Sequence, residues 1–360
     1  MRRVGVEEEL LLIDATTGAP VPGYDEVAAA ARANDDHPAE HELKQQMAEI
    51  ASAPHLDLDL VRHDLTRDRR NLATAAAGRG YAVAATATSP VAGRPVITSD
   101  ERYLAMERRF GLLERNQLTC GMHVHVAIDS PAEGVAVIDR IRSWLPLFVA
   151  LSANSPYWQG EDSLYASYRT VVWGQWPTAG PTETFGSLEA YQRVIRALLD
   201  SETLIDEGMI YFAARLSRSY PTLEIRVADV CLDVADAVTL AGLARALVET
   251  GAVQAVNGLA PDSARVELLR MAHWSAARFG LTGDLVEPTT HRPVSAANAV
   301  DRLLDLVRPA LRTAGDLDTV TDGVAEILRR GNGSQQQRAF FADGGDVNSV
   351  ALGAAARSAP

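Results

Sequence analysis

Val4-Gly5-Val6-Glu7-Glu8-Glu9-Leu10-Leu11-Leu12-Ile13-Asp14, at the start of a 360-residue chain, reads as a buried β-strand carrying three consecutive carboxylates. Alternate side chains of a strand share a face, so Glu7 and Glu9 point one way and Glu8 the other. Two ionised carboxylates side by side repel, and burying them uncompensated is costly. A divalent cation makes that arrangement tolerable, and hard oxygen ligands suit magnesium or manganese. The competing reading is an edge strand whose glutamates are solvated.

Three further segments add to this strand. In Gly121-Met122-His123-Val124-His125-Val126, His123 and His125 are two apart and share a face. Imidazoles so placed bind a metal or an anionic phosphate, or else are satisfied core histidines. Leu223-Glu224-Ile225-Arg226-Val227 sets an acid and a base on one face, where a core strand would carry valine; a structural ion pair is the alternative. His41-Glu42-Leu43-Lys44-Gln45-Gln46-Met47-Ala48-Glu49 contributes Glu42 and Glu49 as further candidate carboxylates.

A fourth segment, Tyr165-Ala166-Ser167-Tyr168-Arg169-Thr170-Val171-Val172-Trp173-Gly174-Gln175-Trp176-Pro177, sets one arginine among aromatic residues. Arg169 is suited to gripping a carboxylate through its planar fork, or to stacking on a tryptophan. Carboxylates from several strands with a histidine make two adjacent cation sites, and arginines supply phosphate and carboxylate grips. That is equipment for phosphoryl transfer from ATP to a carboxylate.

Composition narrows the alternatives. At 47% hydrophobic and 22% charged residues, the chain has an ordinary globular composition. The net charge of −13, with no basic patch, argues against a nucleic-acid partner. Lys44 is the only lysine and has no preceding glycines, so a Walker-type phosphate loop is impossible and a lysine Schiff base is not expected. Cys120 and Cys231 sit in apolar segments and read as small core residues without a disulfide or zinc pattern. No segment has the roughly 18 uninterrupted apolar residues of a membrane span. The first strand leaves no room for a signal peptide, so a cytoplasmic location is expected.

Helical periodicity is read over 23–33, 58–79, 100–117, 132–152, 188–201 and 234–256, and almost throughout 261–330. Strands are read over 42–51, 81–88, 118–129 and 221–230, and 34–38 is a loop. The stretch 155–187, rich in Gly, Pro and aromatics, reads as a long functional loop. Strands separated by helices, without a Gly-x-Gly-x-x-Gly turn, indicate an α+β fold with a mostly antiparallel sheet. Residues 1–342 are read as one catalytic domain whose C-terminal part, 261–330, is helical. The tail 343–360 is expected to fray.

The chain resembles the bacterial carboxylate–amine ligases, the second family of glutamate–cysteine ligases. Gly5-Val6-Glu7-Glu8-Glu9, Cys120-Gly121-Met122-His123-Val124-His125-Val126, Tyr165-Ala166-Ser167-Tyr168-Arg169, Trp173-Gly174-Gln175-Trp176-Pro177-Thr178-Ala179-Gly180, Leu223-Glu224-Ile225-Arg226-Val227-Ala228-Asp229-Val230-Cys231 and Gln337-Arg338 carry the resemblance, which spans roughly 2–340. The family is distantly similar to glutamine synthetase, which implies a curved antiparallel sheet forming a catalytic funnel with flanking helices. The resemblance implies that Glu7, His123 and Glu224 ligate one cation, and that Glu9 and Glu49, with Glu42, ligate another. It assigns His125, Arg226 and Arg338 to the nucleotide, and Arg169 with Trp173 and Tyr165 to the carboxylate substrate. Arg226, Arg169 and Glu49 are the catalytic candidates.

The implied reaction is ATP-dependent amide formation through an acyl phosphate, with magnesium or manganese, from glutamate to cysteine or another amino acid. A specialised ligase for an unusual amine, or a nucleotide- and metal-binding protein without turnover, are the alternatives. Small-molecule carboxylates and amines are the expected partners, and a homodimer is entertained. Two departures from the family pattern bear on the acceptor amine: Ala213 stands where an acid is usual, and Met47 where glutamine is usual.

Overall fold

The computed structural model describes residues 1–31 and 39–359. The loop expected over 34–38 lies outside the described residues. The strands are β1 (Val4–Asp14), β2 (Glu40–His41), β3 (Met47–Ala51), β4 (Tyr81–Ala84), β5 (Gly121–Ala127), β6 (Tyr157–Trp158), β7 (Glu161–Asp162), β8 (Ala214–Leu216), β9 (Thr222–Asp229), β10 (Asp284–Val286) and β11 (Pro293–Ser295). Seven of them form one sheet of order β2-β3-β1-β5-β9-β8, with β4 also pairing β1. Every pairing in it is antiparallel. The fold is α+β, as the alternating pattern indicated.

β1 is the hub because its sequence alternates two different surfaces. Val4, Val6 and Glu8 face the main core, with Met122, Val124 and Val126 beside them on β5. Helices Leu58–Ala77 and Val234–Val256 pack against β1, and Pro131–Ile141 and Leu145–Ser152 pack against β9. Glu8 is buried in that layer, where Arg69 of helix Leu58–Ala77 forks onto it: Nε donates to Oε2 at 2.8 Å and Nη2 to Oε1 at 2.7 Å. The same guanidinium donates to the carbonyls of Leu232 and Cys231, so its charge is fully hydrogen-bonded. Glu8 is thus a structural anchor, and Glu7 and Glu9 are left on the opposite face.

Several boundaries differ from the sequence reading. The strand expected over 42–51 is regular only in β3. Lys44 turns inward to an ion pair with Glu114, both side chains essentially inaccessible, and the Met47 N–H turns back to the Lys44 carbonyl. The helix expected over 100–117 breaks at Gly111, whose φ of 57° is open to glycine at little cost. The one expected over 132–152 divides ahead of Pro146, which has no N–H to donate. The β10–β11 hairpin interrupts the helical run of 261–330.

The tail expected to fray is mostly helical over its described residues. Helix Val347–Ser358 is capped by Asp346, which accepts from the Ser349 N–H at 2.7 Å. Its small residues dock closely: Ala351 and Ala355 join the core under β4, and the Ala85 N–H donates to the Ser358 hydroxyl at 2.8 Å. Alanine and glycine composition looked like a flexible tail, whereas small side chains are what this tight seat requires.

Candidate active site

Strand register assembles the site. Antiparallel pairing sets Glu7 opposite His123, Glu9 opposite Glu49 and His125 opposite Glu224. Arg215 on β8 sits opposite Glu224 on β9. Between Met122 and Val124 the β5–β9 register shifts, so Arg226 and Val227 together oppose His123. The regular pairs up to Val124–Ile225 already set Glu224 and Arg226 beside His125 and His123 in the cavity, and the bulge shifts the pairing of β9 beyond them.

The acids crowd together. Glu7 lies 3.3 Å from His123 Nδ1 and 3.1 Å from His125 Nε2. Glu224 is forked by Arg215 at 2.8 Å and paired with Arg226, whose Nη1 also lies 3.5 Å from His123 Nδ1. The Gly121 N–H donates to Glu9 at 2.6 Å. Oxygen and nitrogen atoms converge in three overlapping groups, each within 4.8 Å: Glu7, Glu49 and His123; Glu7, His125 and Glu224; Glu9, Glu42 and Glu49.

The electrostatics follow from this packing. Burial, then the neighbouring Glu42 charge, pushes the Glu9 carboxyl up to about 7. Burial and the charges of Glu42, Glu7 and Glu9 hold Glu49 well above the usual carboxylate range. Glu7 goes the other way: burial opposes its ionisation, but hydrogen bonds to His123 and His125 outweigh it. For Glu224 burial is likewise outweighed, here by Arg226 and Arg215. Burial and Arg226 push His123 down to about 4, so its ring is neutral and able to act as a ligand.

These residues fit divalent cations. The donor set is carboxylate oxygen with imidazole nitrogen, and His123 Nε2 is buried without a hydrogen-bond partner, while His125 Nε2 meets Glu7 at 3.1 Å. Acids that must hold a proton because they crowd one another would be relieved by positive charge. The Glu9–Glu42–Glu49 group matches the second expected ligand set. The first set is distributed differently: Glu7 is shared, His123 groups with Glu49, and Glu224 groups with His125.

Other expected residues lie further off. Arg169 is buried against Gly121, on the face of β5 that carries His123 and His125, with its Nη1 4.0 Å from Asp229 and its guanidinium over the Trp173 ring. It lines a second cavity, which shares Trp173, Tyr211 and Arg226 with the acidic one. Ala213 lines the second cavity and Met47 the first. Tyr165 and Arg338 are brought into neither. Tyr165 accepts from Trp274 Nε1 at 3.2 Å, and Arg338 pairs with Asp162 beside a separate surface depression. Arg102, Tyr103, Arg215, Arg218 and Tyr220 line the acidic cavity and were not singled out from the sequence. For Arg215 a signal existed, since an arginine inside the short apolar run Phe212-Ala213-Ala214-Arg215-Leu216 needs a buried partner.

The family model described as glutamate-cysteine ligase family 2 matches residues 3–353. The chain belongs to glutamate–cysteine ligase family 2. A relative from Streptomyces coelicolor, named "Putative glutamate–cysteine ligase 2", is 49% identical over 97% of this chain and 97% of its own. A second, from Streptomyces avermitilis and named "Putative glutamate–cysteine ligase 2-1", is 51% identical over 94% of each. The fold resembles that of a glutamate–cysteine ligase from Francisella tularensis solved in complex with AMP. Its TM-score is 0.73 at 13% identity, covering 99% of this chain and 88% of that one. A bifunctional glutathione synthetase from Pasteurella multocida gives a TM-score of 0.71 at 14% identity, over 99% of this chain and 52% of that one. This family member is an ATP-dependent ligase. Among its described residues no helix is long and apolar enough to cross a membrane.

Proposed function

We propose that this ligase joins the γ-carboxylate of glutamate to cysteine or another amino acid, by way of an acyl phosphate made at the expense of ATP. The observation that carries this reading is the row of acids and histidines across β3, β1, β5 and β9, ending on Arg226 where the two cavities meet. Glu7, Glu9, Glu42, Glu49, His123, His125 and Glu224 would hold the cations, magnesium or manganese. Bound there, cations would neutralise phosphate charge and act as Lewis acids.

The chain's own residues do the rest. A carboxylate is a poor electrophile and repels the triphosphate it must attack. Arg226 faces both cavities, so its guanidinium offsets that repulsion and stabilises charge spreading over the transferred phosphoryl oxygens. Glu224, held by Arg215, keeps Arg226 oriented along the sheet. Arg169, fixed by Asp229 and by the carbonyls of Arg226 and Val227, sets a second guanidinium next to Arg226 in the second cavity. The acyl phosphate hydrolyses if water reaches it. Trp173, Trp176 and Tyr211 pack ring against ring at the junction of the cavities and exclude water from that point.

The test is ADP release from ATP with magnesium and glutamate, with and without a panel of amines, products being read by mass spectrometry. Amine-dependent ADP release with an amide product is expected. ATP binding without turnover on any carboxylate and amine pair would overturn the reading.

A further inference from the structure

Helix Val266–Phe279 closes one side of the second cavity with Arg270, His273, Trp274 and Ala277. These are spaced three, four and seven residues from Arg270 and so form one helical face. None of them belongs to the segments that carry the family resemblance. His273 is only 7% exposed, and its Nε2 has no hydrogen-bond partner. A buried imidazole nitrogen left unpaired is costly, and a ligand entering the cavity would satisfy it. Arg270 and Trp274 are exposed beside it.

The rest of the wall is chemically one-sided. Val171, Phe212, Ala213 and Val227 make it apolar, its remaining charges, Arg169 and Arg226, are positive, and among the described residues lining it there is no aspartate or glutamate. A glutamate donor lodged here would leave its ammonium facing a wall without a carboxylate. An acceptor amino acid meets the wall differently. Its carboxylate can accept from His273 and Arg270, its side chain can rest on the apolar wall, and its nitrogen points to Arg226 and the acidic cavity beyond.

We propose that the second cavity is the acceptor site of the ligase, with helix Val266–Phe279 as its specificity element, and that it takes α-amino acids with apolar side chains. This rests on the ligase reading above. In the reaction the acceptor nitrogen forms a bond to the acyl carbon, and the bond from that carbon to the phosphate oxygen breaks. Phosphate leaves with the electron pair and takes up the proton that the nitrogen loses.

Two measurements separate this inference from the reading beneath it. The first follows tryptophan fluorescence in the presence of magnesium and ADP, titrating L-leucine against 3-methylbutylamine, its counterpart without the carboxylate. Saturable quenching by leucine is expected, about tenfold weaker for the amine, with Arg270→Ala and His273→Leu each removing most of that difference. Equal affinity for the two compounds, or no saturable binding of leucine, overturns the inference whether or not ATP turns over. The second is steady-state ligation with glutamate and leucine. Arg270→Ala is expected to raise the KM for leucine about tenfold while leaving the KM for ATP unchanged. A parallel rise in both overturns the inference. Leucine binding without ADP release would instead overturn the ligase reading alone.

Discussion

Glu7 is the residue on which most of the site depends, because its two oxygens touch both histidines and it belongs to two of the three ligand groups. Glu7→Gln keeps the shape of the strand but removes a charge, so the fold should survive, checked by circular dichroism. ADP release in the presence of substrates should fall by at least about a hundredfold. Unchanged turnover would remove Glu7 from the chemistry. The only lysine offers a different kind of test. Lys44 and Glu114 are buried together away from the ligand groups, and removing one leaves the other charge uncompensated. Lys44→Met should cost about 3–5 kcal/mol in urea unfolding, whereas Lys44→Met with Glu114→Leu should recover most of it. If the double variant is as unstable as the single one, the pair is not what holds the β2–β3 connection inward.

Elements show where residue patterns stop being informative. The largely buried helix Val234–Val256 and strand β1 were readable because each is long and apolar, with few internal breaks. Helix Val347–Ser358 was not, because Ala-Ala-Ala with glycine has the composition of a flexible end and a seat for it is invisible in one dimension. That seat makes a prediction at Gly18, where φ is +70° and a Cβ would sit 2.7 Å from that of Ala351. Gly18→Ala should destabilise by about 1–3 kcal/mol, measured by urea unfolding, through backbone strain and overpacking against the helix. A neutral result would mean that the helix shifts freely and does not brace β4. The β5–β9 bulge belongs to this scale as well. His-x-His and Glu-x-Arg each predict a shared face, but the register that sets Glu224 and Arg226 beside the histidines, and the slip that follows it, are properties of two strands together.

For the whole molecule, the acid row makes stability depend on pH and on divalent cations. Glu9 is pushed up to about 7 in the folded protein, above its value in the unfolded chain. A carboxyl raised in this way binds its proton more tightly when folded, so its stabilising contribution is full below the unfolded value. It is lost as pH rises from about 4.5 to about 7. In metal-free buffer the urea midpoint should therefore fall across that window. Magnesium should remove the fall and raise the midpoint at pH 7, since an ion that binds only the folded state stabilises it by mass action. Glu49→Gln should raise the metal-free midpoint by relieving the crowding and blunt the response to magnesium. A midpoint indifferent to magnesium at pH 7 would mean that the acid row is not a cation site.

Sequence alone indicated the fold class, the polarity of β1 and the carboxylates and histidines that line the acidic cavity. Period-two alternation dictates which side chains share a face, and three adjacent glutamates in an apolar strand have few physical solutions. It did not reveal that Glu8 serves the core, because the deciding partner, Arg69, lies 61 positions away on a helix. Arg215 stood out as an arginine in an apolar run, but its partner was unknown until Glu224 stood opposite it. Only the tertiary structure separated Tyr165 and Arg338 from the cavities, set Arg169 over Gly121 in the second cavity, and brought helix Val266–Phe279 to that cavity. Faces are local properties of a strand or a helix, whereas registers, ion-pair partners and cavity walls come into being only when distant segments meet.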